Sequence, residues 1–415
     1  MFKKIRLSLS IQIVIAIIAG LILGPILGPK ASSLGALGKL YIQLIKTVAA
    51  PLVFFAIVDS LLKTSIKKRH ALRLFGITSV NATIAALIGL SLANLFKPGE
   101  KLHLEGIETA KSSLPLITEK FNFVKALEGY IPSHLLQPFL ENNILVLVVY
   151  AVLLGSIIRV IRNPENGFPQ EIHKGAFYIE DICLTLFKVF EILLEWVVKI
   201  TPFAVFGVLT KTIGEYGWAP LQGLAWYVGV GVLGLCIHPL FTYQLWISLY
   251  TRLSLKEFWR EAKNPVIFGL GCNSSLATLP ITLKALDKLK ISKASSRLGA
   301  CIGTNLNNDG ILLYEAMAVF FVAQYHGYHM HLNDQIFAMI TCVIAAIGIA
   351  GVPEAGIVSL SLVLSTVGLP LEILPLLITV DWILARMRTG VNVLADMTVS
   401  TVLDEMEHRE VAHHK

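Results

Sequence analysis

Residues 264–287 read NPVIFGLGCNSSLATLPITLKALD, an apolar stretch that glycine and polar residues break in the middle, at 271–275. Lys263 precedes the stretch, and a basic cluster follows it between Lys284 and Arg297. Because lysine and arginine collect on the cytoplasmic side of membrane proteins, a stretch with this signal at both ends enters the membrane and returns. Residues 264–287 are therefore predicted to form a re-entrant helical hairpin.

The same form occurs again towards the C-terminus. Residues 335–368 are apolar and are broken at 351–356 by glycine, proline and glutamate. Between the two hairpins lies an apolar span, 298–325, interrupted at 305–310, and a final span covers 371–403. Glycine or proline interruptions at corresponding places in two halves of a chain indicate a transporter binding site. Since the first hairpin enters from the cytoplasm and the second from outside, we predict inverted repeats.

Six further spans of about 20 or more apolar residues precede the hairpins. Basic clusters precede the first of them and follow the second, fourth and sixth, which places the N-terminus in the cytoplasm. The sequence thus predicts an all-α polytopic protein of the plasma (inner) membrane, with eight transmembrane helices, two re-entrant helical hairpins and both termini cytoplasmic. The six spans cover 8–28, 40–62, 74–96, 143–160, 176–206 and 222–250.

The composition agrees with a membrane protein and excludes other classes. Of 415 residues, 55% are hydrophobic and 15% are charged, whereas soluble domains carry about 25% charged residues. This excludes a soluble globular enzyme, a disordered chain and a nucleic-acid binder, and we expect membrane lipids as partners. The sequence contains no GxxxxGKS or GxxxxGKT phosphate loop, so we expect no nucleotide partner. No nucleophile–base pair or metal spacing indicates an enzyme.

The last span carries ionisable residues on one helical face. Asp381, Ala385, Arg388, Asn392 and Asp396 follow the spacing i, i+4, i+7, i+11 and i+15. Each ionisable side chain inside a bilayer costs on the order of 3 kcal/mol, so this face must look into protein or a water-filled cavity. We interpret it as a functional site. The alternative is a set of buried ion pairs that hold helices together.

The interruption at 305–310 indicates a cation site. Asn307, Asp309 and Gly310 are poor residues for the middle of a helix. An unwound turn there would free backbone carbonyl oxygens, which together with the Asp309 and Asp396 carboxylates suit an alkali cation. A simple kink is the alternative.

The break in the first hairpin indicates an anion site. Ser274 and Ser275 stand where the second arm begins, and a helix N-terminus presents free N–H groups to an anion. Arg386 and Arg388 add guanidinium groups, which match carboxylates with paired hydrogen bonds. The whole arrangement therefore predicts a site for a small organic anion together with cations.

Several long stretches, in order along nearly the whole chain, resemble the glutamate transporter family, the dicarboxylate/amino acid:cation symporters. The matching stretches are 44–46 with 51–54, 131–133 with 142–143, SSLATLP at 274–280, NNDG at 307–310 with LYE at 313–315, AGVP at 350–353, and VDW at 380–382 followed by Arg388, Thr389, Asn392 and Asp396.

The resemblance implies a homotrimer that works as an elevator, in which a mobile transport domain carries substrate past a scaffold. Sodium ions or protons would drive uptake without a covalent cofactor, and the second hairpin would be the outer gate. The implied division is scaffold at 1–70 and 143–215, transport domain at 71–96 and 216–407, an extracellular segment at 97–142 and a cytoplasmic tail at 408–415.

The resemblance also implies roles for individual residues. Ser275, Asn392 and the backbone at Gly351 and Val352 would bind the main carboxylate of the substrate, and Arg388 a second one. The rest of the substrate site would be Ser274, Ile311, Ala385 and Thr389. One sodium site would use Gly303, Asn307, Asn308, Asn392 and Asp396, Asp309 would serve another, and Glu315 and Arg386 would take part in coupling.

Some positions depart from the pattern of the family's amino-acid carriers. Ala385 stands where those carriers have an aspartate that receives the substrate's ammonium group, and Ile311 and Ile349 stand in place of threonines. An ammonium group here would be desolvated without a partner. We therefore expect a cation-coupled symporter of a carboxylate that lacks an amine, such as a C4-dicarboxylate or an apolar organic acid.

The third span also departs from the pattern. Asn81 and Ala82 replace hydroxyl residues that help to bind a sodium ion, and Thr78 replaces a tyrosine. The cation, sodium or proton, therefore stays open. Two alternatives stay open as well. One is an amino-acid symporter of the same fold, with Glu354 contacting the ammonium group, and the other is an uncoupled anion channel or ligand sensor.

Overall fold

The computed structural model describes residues 8–63, 68–102, 134, 136–141, 143–347 and 355–413. Across these ranges all regular structure is helical and no strand forms, as the sequence predicts. The main helices are α1 (Leu9–Leu27), α2 (Gly35–Lys63), α3 (Lys68–Phe96), α4 (Ile144–Arg162), α5 (Gln170–Val198), α6 (Thr201–Tyr216), α7 (Ala219–His238), α8 (Gln244–Tyr250), α9 (Leu255–Cys272), α10 (Ser275–Lys288), α11 (Asp309–Tyr325), α12 (Leu332–Ile347), α13 (Ala355–Thr366) and α14 (Leu374–His413).

The predicted first hairpin is two helices, α9 and α10, that pack against each other. Helix α9 begins at Leu255, nine residues before the apolar stretch, because Ser254 and Glu257 form a capping box at its start. The turn between the arms is Asn273, whose φ of 54° is left-handed, followed by Ser274. Helices α12 and α13 pack on each other in the same way. The tip that joins them, 348–354, lies outside the described residues.

The chain loses its α-helical form on the way into α11. A π-helical turn, Arg297–Ile302, and a 3-10 turn, Gly303–Asn305, come first, and residues 306–308 are not helical. The side chains of asparagine and aspartate compete for backbone hydrogen bonds, which disfavours a continuous helix here. The unwound turn predicted within 305–310 is therefore present.

Four described stretches are long and apolar enough to cross a membrane, Leu9–Leu62, Leu72–Lys101, Ile144–Arg162 and Ala219–Tyr250. The first holds both α1 and α2. A bent pair, α5 with α6, would make a fifth at an angle of 42°. The later helices fall short of this test because α11–α13 are short and α14 carries charged residues. The eight crossings expected from the sequence therefore stay a prediction.

Helix α11 lies at the centre of the part that holds the site. Every residue from Asp309 to Ala323 is buried, and α3, α7, α13 and α14 pack around it. A second group forms where α2 packs against α4, α5 and α6, and α1 packs along α6. Helix α5 turns apolar side chains outwards, among them Tyr178, Ile182 and Trp196, as expected where a protein faces lipid or another subunit.

Candidate functional site

The five side chains predicted to share a face of the last span are all buried. Asp381, Ala385, Arg388, Asn392 and Asp396 are each between 1% and 5% exposed on α14. Asn392 and Asp396 contact the residues at the start of α11 and before it, and Arg388 lies against the start of α13. The face therefore looks into protein, as the cost of burying charge in a bilayer requires.

Arg388 is held by a carboxylate of its own helix. Its Nη1 donates to Asp381 Oδ1 at 2.9 Å, and its Nη2 donates to Asp381 Oδ2 at 3.1 Å. The guanidinium carbon lies 3.9 Å from the centre of the Tyr314 ring. On another side, a Cβ added to Gly356 of α13 would come within 2.7 Å of that carbon. The arginine is thus held by a paired hydrogen bond, by a cation–π contact and by close packing against the backbone of Gly356.

The turn of the first hairpin is tied to α14 and to the chain before α11. Thr389 Oγ1 donates to Asn273 Oδ1 at 3.1 Å. Thr304 Oγ1 donates to Ser275 Oγ at 3.1 Å, and both residues are buried. Ser274 caps α10 by accepting a hydrogen bond from the Ala277 N–H at 3.2 Å. The N-terminal end of α10 therefore lies beside the polar face of α14, as an anion site requires.

Ile311 and Ala385 give this region its apolar character. Ile311 is buried in the first turn of α11, and Ala385 is buried one turn before Thr389 on α14. The first turn of α11 lies close to α14, because a Cβ on Gly310 would come within 2.6 Å of the Arg388 carbonyl oxygen.

Asn392 links three elements of the site. Its Oδ1 accepts a hydrogen bond from the Gly310 N–H at 2.9 Å, and its Nδ2 donates to Asn308 Oδ1 at 3.1 Å. Asn308 Nδ2 in turn donates to the Ala346 carbonyl oxygen at 2.8 Å, at the end of α12. The unwound residues, α14 and the first arm of the second hairpin are thus held together by side-chain amides.

Asp396 lies next to a buried oxygen that has no donor. Asn307 Nδ2 donates to Asp396 Oδ1 and to the Gly299 carbonyl oxygen, both at 3.0 Å. Asn307 Oδ1 is buried and accepts no hydrogen bond from the residues that the structure describes. Gly303 lies alongside, since a Cβ there would overlap the Asn307 amide. An unpaired amide oxygen beside a carboxylate is a donor set that fits an alkali cation, and these residues would hold it.

Asp309 has different neighbours. Tyr243 donates its hydroxyl hydrogen to Asp309 Oδ2 at 2.7 Å, and His238 Nε2 lies 3.3 Å from the same oxygen. Thr242 Oγ1 lies 3.2 Å from His238 Nδ1. The sequence analysis missed these three residues and also Thr304. His238 carried a signal, because a histidine inside an apolar span is a functional candidate by default.

The two residues assigned to coupling lie apart from each other. Glu315 is fully buried, and its carboxylate oxygens accept no hydrogen bond from any described residue. Arg386 points away from Arg388: it donates to the Trp382 carbonyl oxygen at 2.7 Å and to the Ser10 hydroxyl of α1. Of the remaining predicted positions, Gly351 and Val352 lie outside the described residues, as do Ile349 and Glu354.

The buried amides, carboxylates and guanidinium of this region agree with the family that sequence comparison finds. The profile of the sodium:dicarboxylate symporter family matches residues 9–406. The chain belongs to this family. It is therefore an integral membrane transporter and not an enzyme.

Similar proteins carry both of the substrate names that the sequence analysis considered. A C4-dicarboxylate transport protein of an Anaeromyxobacter species is 28% identical over 98% of this chain and 91% of the relative. A protein of the same name from Xanthomonas campestris pv. campestris is 28% identical over 91% of this chain and 83% of the relative. A Caenorhabditis elegans protein named as a sodium-dependent excitatory amino acid transporter, glt-3, is 28% identical over 88% and 74%.

Proposed function

We propose that this chain is a cation-coupled secondary symporter of small carboxylates, best suited to a C4-dicarboxylate, and that it works as an elevator. The observation that carries the proposal is the buried guanidinium of Arg388 with Ala385 one turn before it on the same helix. A guanidinium binds carboxylates with paired hydrogen bonds, whereas a methyl group at 385 offers an ammonium nothing. The dicarboxylate names of the bacterial relatives support the same substrate class.

The pair between Arg388 and Asp381 is compatible with a substrate at this position. The pair with Asp381 is made through one N–H group on each of Nη1 and Nη2, and a carboxylate of the substrate has the same shape as that of Asp381. A substrate carboxylate would share the guanidinium with Asp381 or displace it. The other carboxylate would lie at the N-terminal end of α10, near Ser275, where backbone N–H groups favour an anion.

Cation coupling would follow from the position of Asn392. Its amide joins the unwound residues to α14, one turn from Asp396. A cation held by Asp396 and Asn307 would fix the same amides that line the substrate site. Each ligand would then order the site for the other, and such coupling is reciprocal.

The domain division belongs to the same proposal. We assign 1–70 and 143–215 to a trimeric scaffold, and 71–96 and 216–407 to the transport domain, with eight crossings, two hairpins and both termini in the cytoplasm. The packing of α2 with α4–α6, and of α3 with α7 and α11, supports these two groups. The exposed apolar side chains of α5 suit a contact with lipid or a neighbouring subunit.

Thermal unfolding of the detergent-purified protein tests the proposal. Succinate, malate, aspartate and glutamate are each added in sodium, potassium or choline chloride, because a ligand of the folded state raises the melting temperature. We expect succinate or malate to raise it in sodium and aspartate to have no effect. Uptake into vesicles follows, where flux without any cation gradient would mean a channel instead.

A second candidate, an amino-acid symporter of the same fold, is favoured by the carboxylate of Asp381. If a substrate took Arg388, Asp381 would be released to meet an ammonium group. If aspartate or glutamate raised the melting temperature in sodium as much as succinate does, the amino-acid symporter would be established.

A further inference from the structure

The two aspartates expected to hold cations lie in opposite chemical surroundings. Beside Asp396, the Asn307 amide presents a buried oxygen that accepts no hydrogen bond within the described part of the chain. Beside Asp309, the neighbours are a phenol hydroxyl and an imidazole. A sodium ion needs oxygen lone pairs, so the set of oxygens around Asp396 fits it. The groups around Asp309 direct hydrogens at its Oδ2 instead.

The groups around Asp309 form a connected set of hydrogen bonds. A carboxylate accepts hydrogen bonds, so His238 Nε2 is the donor to Asp309 Oδ2, and the Thr242 hydroxyl lies next to His238 Nδ1, where either group can donate. Tyr243 donates to the same oxygen at 2.7 Å, and His238 and Tyr243 are both fully buried. Two donors converge on one carboxylate oxygen, which is how a protein stabilises a buried anion without a metal.

The third span, α3, was expected to help to bind a sodium ion in relatives, and its altered positions are arranged as follows. Thr78 donates its hydroxyl hydrogen to the Leu74 carbonyl oxygen of its own helix at 2.6 Å. Asn81 is fully buried, and its Oδ1 accepts from Trp246 Nε1 at 2.6 Å. At position 81 the side-chain oxygen is therefore engaged by a protein donor, and at position 78 the hydroxyl is turned towards its own helix.

From these contacts we infer that the transporter holds its sodium ion at Asp396 and Asn307, while Asp309 binds no cation and is held by Tyr243 and His238 instead. This inference rests on the proposed function, because it assigns the coupling ion to one of the two sites considered. Its consequence is that the Asp309 position contributes no cation to the transport stoichiometry. Tyr243 and His238 are positioning residues, since they act through Asp309.

The test measures sodium binding by thermal unfolding of the full-length protein, with choline chloride keeping the ionic strength constant. Three variants are compared with the wild type: Asp396→Asn, Asp309→Asn and Tyr243→Phe. The quantity compared is the sodium concentration that gives half of the rise in melting temperature. This readout does not depend on transport activity. Tyr243→Phe keeps the ring and removes only the donor, so it serves if Asp309→Asn does not fold.

We expect Asp396→Asn to raise the half-maximal sodium concentration by at least about tenfold, the usual effect of damaging a metal site. Tyr243→Phe should keep it within about twofold of the wild type, because it leaves both carboxylates in place. Asp309→Asn removes a carboxylate that acts electrostatically on Asp396, so it should raise the half-maximal sodium concentration by clearly less than tenfold. Both variants should melt at a lower temperature than the wild type. A tenfold rise in either of them would overturn the inference and leave sodium coupling standing. A wild type that sodium does not stabilise would overturn sodium coupling itself, and with it the assignment to Asp396.

Discussion

Arg388 and Asp381 lie seven residues apart on α14, and two parallel hydrogen bonds of 2.9 and 3.1 Å join them inside the protein. Both side chains are almost completely buried. The alternative to a binding site was a set of ion pairs between helices, but this pair lies within one helix. The guanidinium that is proposed to bind substrate therefore also contributes to the packing of α14.

Removing the carboxylate of this pair should destabilise the protein strongly. We expect Asp381→Asn to lower the free energy of unfolding by about 3–5 kcal/mol, because it removes the carboxylate that pairs with a buried guanidinium. Chemical denaturation in detergent measures this. Asp287→Asn, at an exposed position of α10, is the control and should change little. Equal effects of the two substitutions would show that the pair does not contribute to stability.

Substituting Ala385 should change which substrate is bound. Ala385→Asp puts a carboxylate one turn before Thr389, so an ammonium group gains a charged partner. We expect the ratio of aspartate to succinate affinity to rise by at least about tenfold, since a site that bonds a polar group rejects analogues without it. Ala385→Asn has the same size without the charge and should not produce the change. If both variants behave alike, the substrate argument from position 385 is wrong.

A methyl group at Gly356 should disturb the arginine. The added Cβ of Gly356→Ala would lie within 2.9 Å of three guanidinium atoms of Arg388. We expect a loss of about 1–3 kcal/mol of stability, typical of overpacking, together with weaker dicarboxylate binding. Gly76→Ala is a matched control within α3, where the Cβ meets nothing within 4 Å. It should be neutral or should stabilise by about 0.5–1 kcal/mol.

His326, in the connection after α11, should make stability depend on pH. Burial lowers the pKa of His326 because it desolvates the charged ring, an effect that Glu372 partly offsets. Its Nε2 has no hydrogen-bond partner among the described residues. The unfolded chain therefore binds the proton more tightly than the folded one, so stability falls as the pH drops below the ordinary histidine pKa of about 6.5.

The measurement is the melting temperature between about pH 7.5 and about pH 5.5. In His326→Gln the melting temperature should fall less between these two pH values, because glutamine does not titrate in this range. His329→Gln, at a nearby position of the same connection, is the control. An unchanged decline in His326→Gln would mean that other groups produce it.

The sequence predicted what depends on spacing along one chain segment. The common face of Asp381, Arg388 and Asp396, the unwound residues before α11 and the place of Ser274 at the start of α10 all follow from helical period and local propensity. Each of these features is set within a few turns of one helix, so no knowledge of its neighbours was needed.

Contacts between distant segments could not be read in this way. His238, the last residue of α7, and Tyr243, the last residue of the π-helical turn Pro239–Tyr243, both reach Asp309, because the turn changes the direction of the side chains that follow. Hydropathy showed a single apolar span there and gave no sign of the turn. Similarly, Arg386 and Arg388 look equivalent in sequence, but 200° of helical rotation, at about 100° per residue, sends one to Ser10 and the other to Asp381.

The burial of α11 on every side also limits how the site can move. Between Asp309 and Ala323 this helix has no exposed residue, and a close-packed interior cannot let one rod slide or turn without opening voids around it. The proposed cation and anion positions would therefore keep their mutual distances during any displacement of this packed group of helices. In the proposed elevator, the helices outside the group would set the side of the membrane from which the substrate is reached. The packed group would set which substrate is bound.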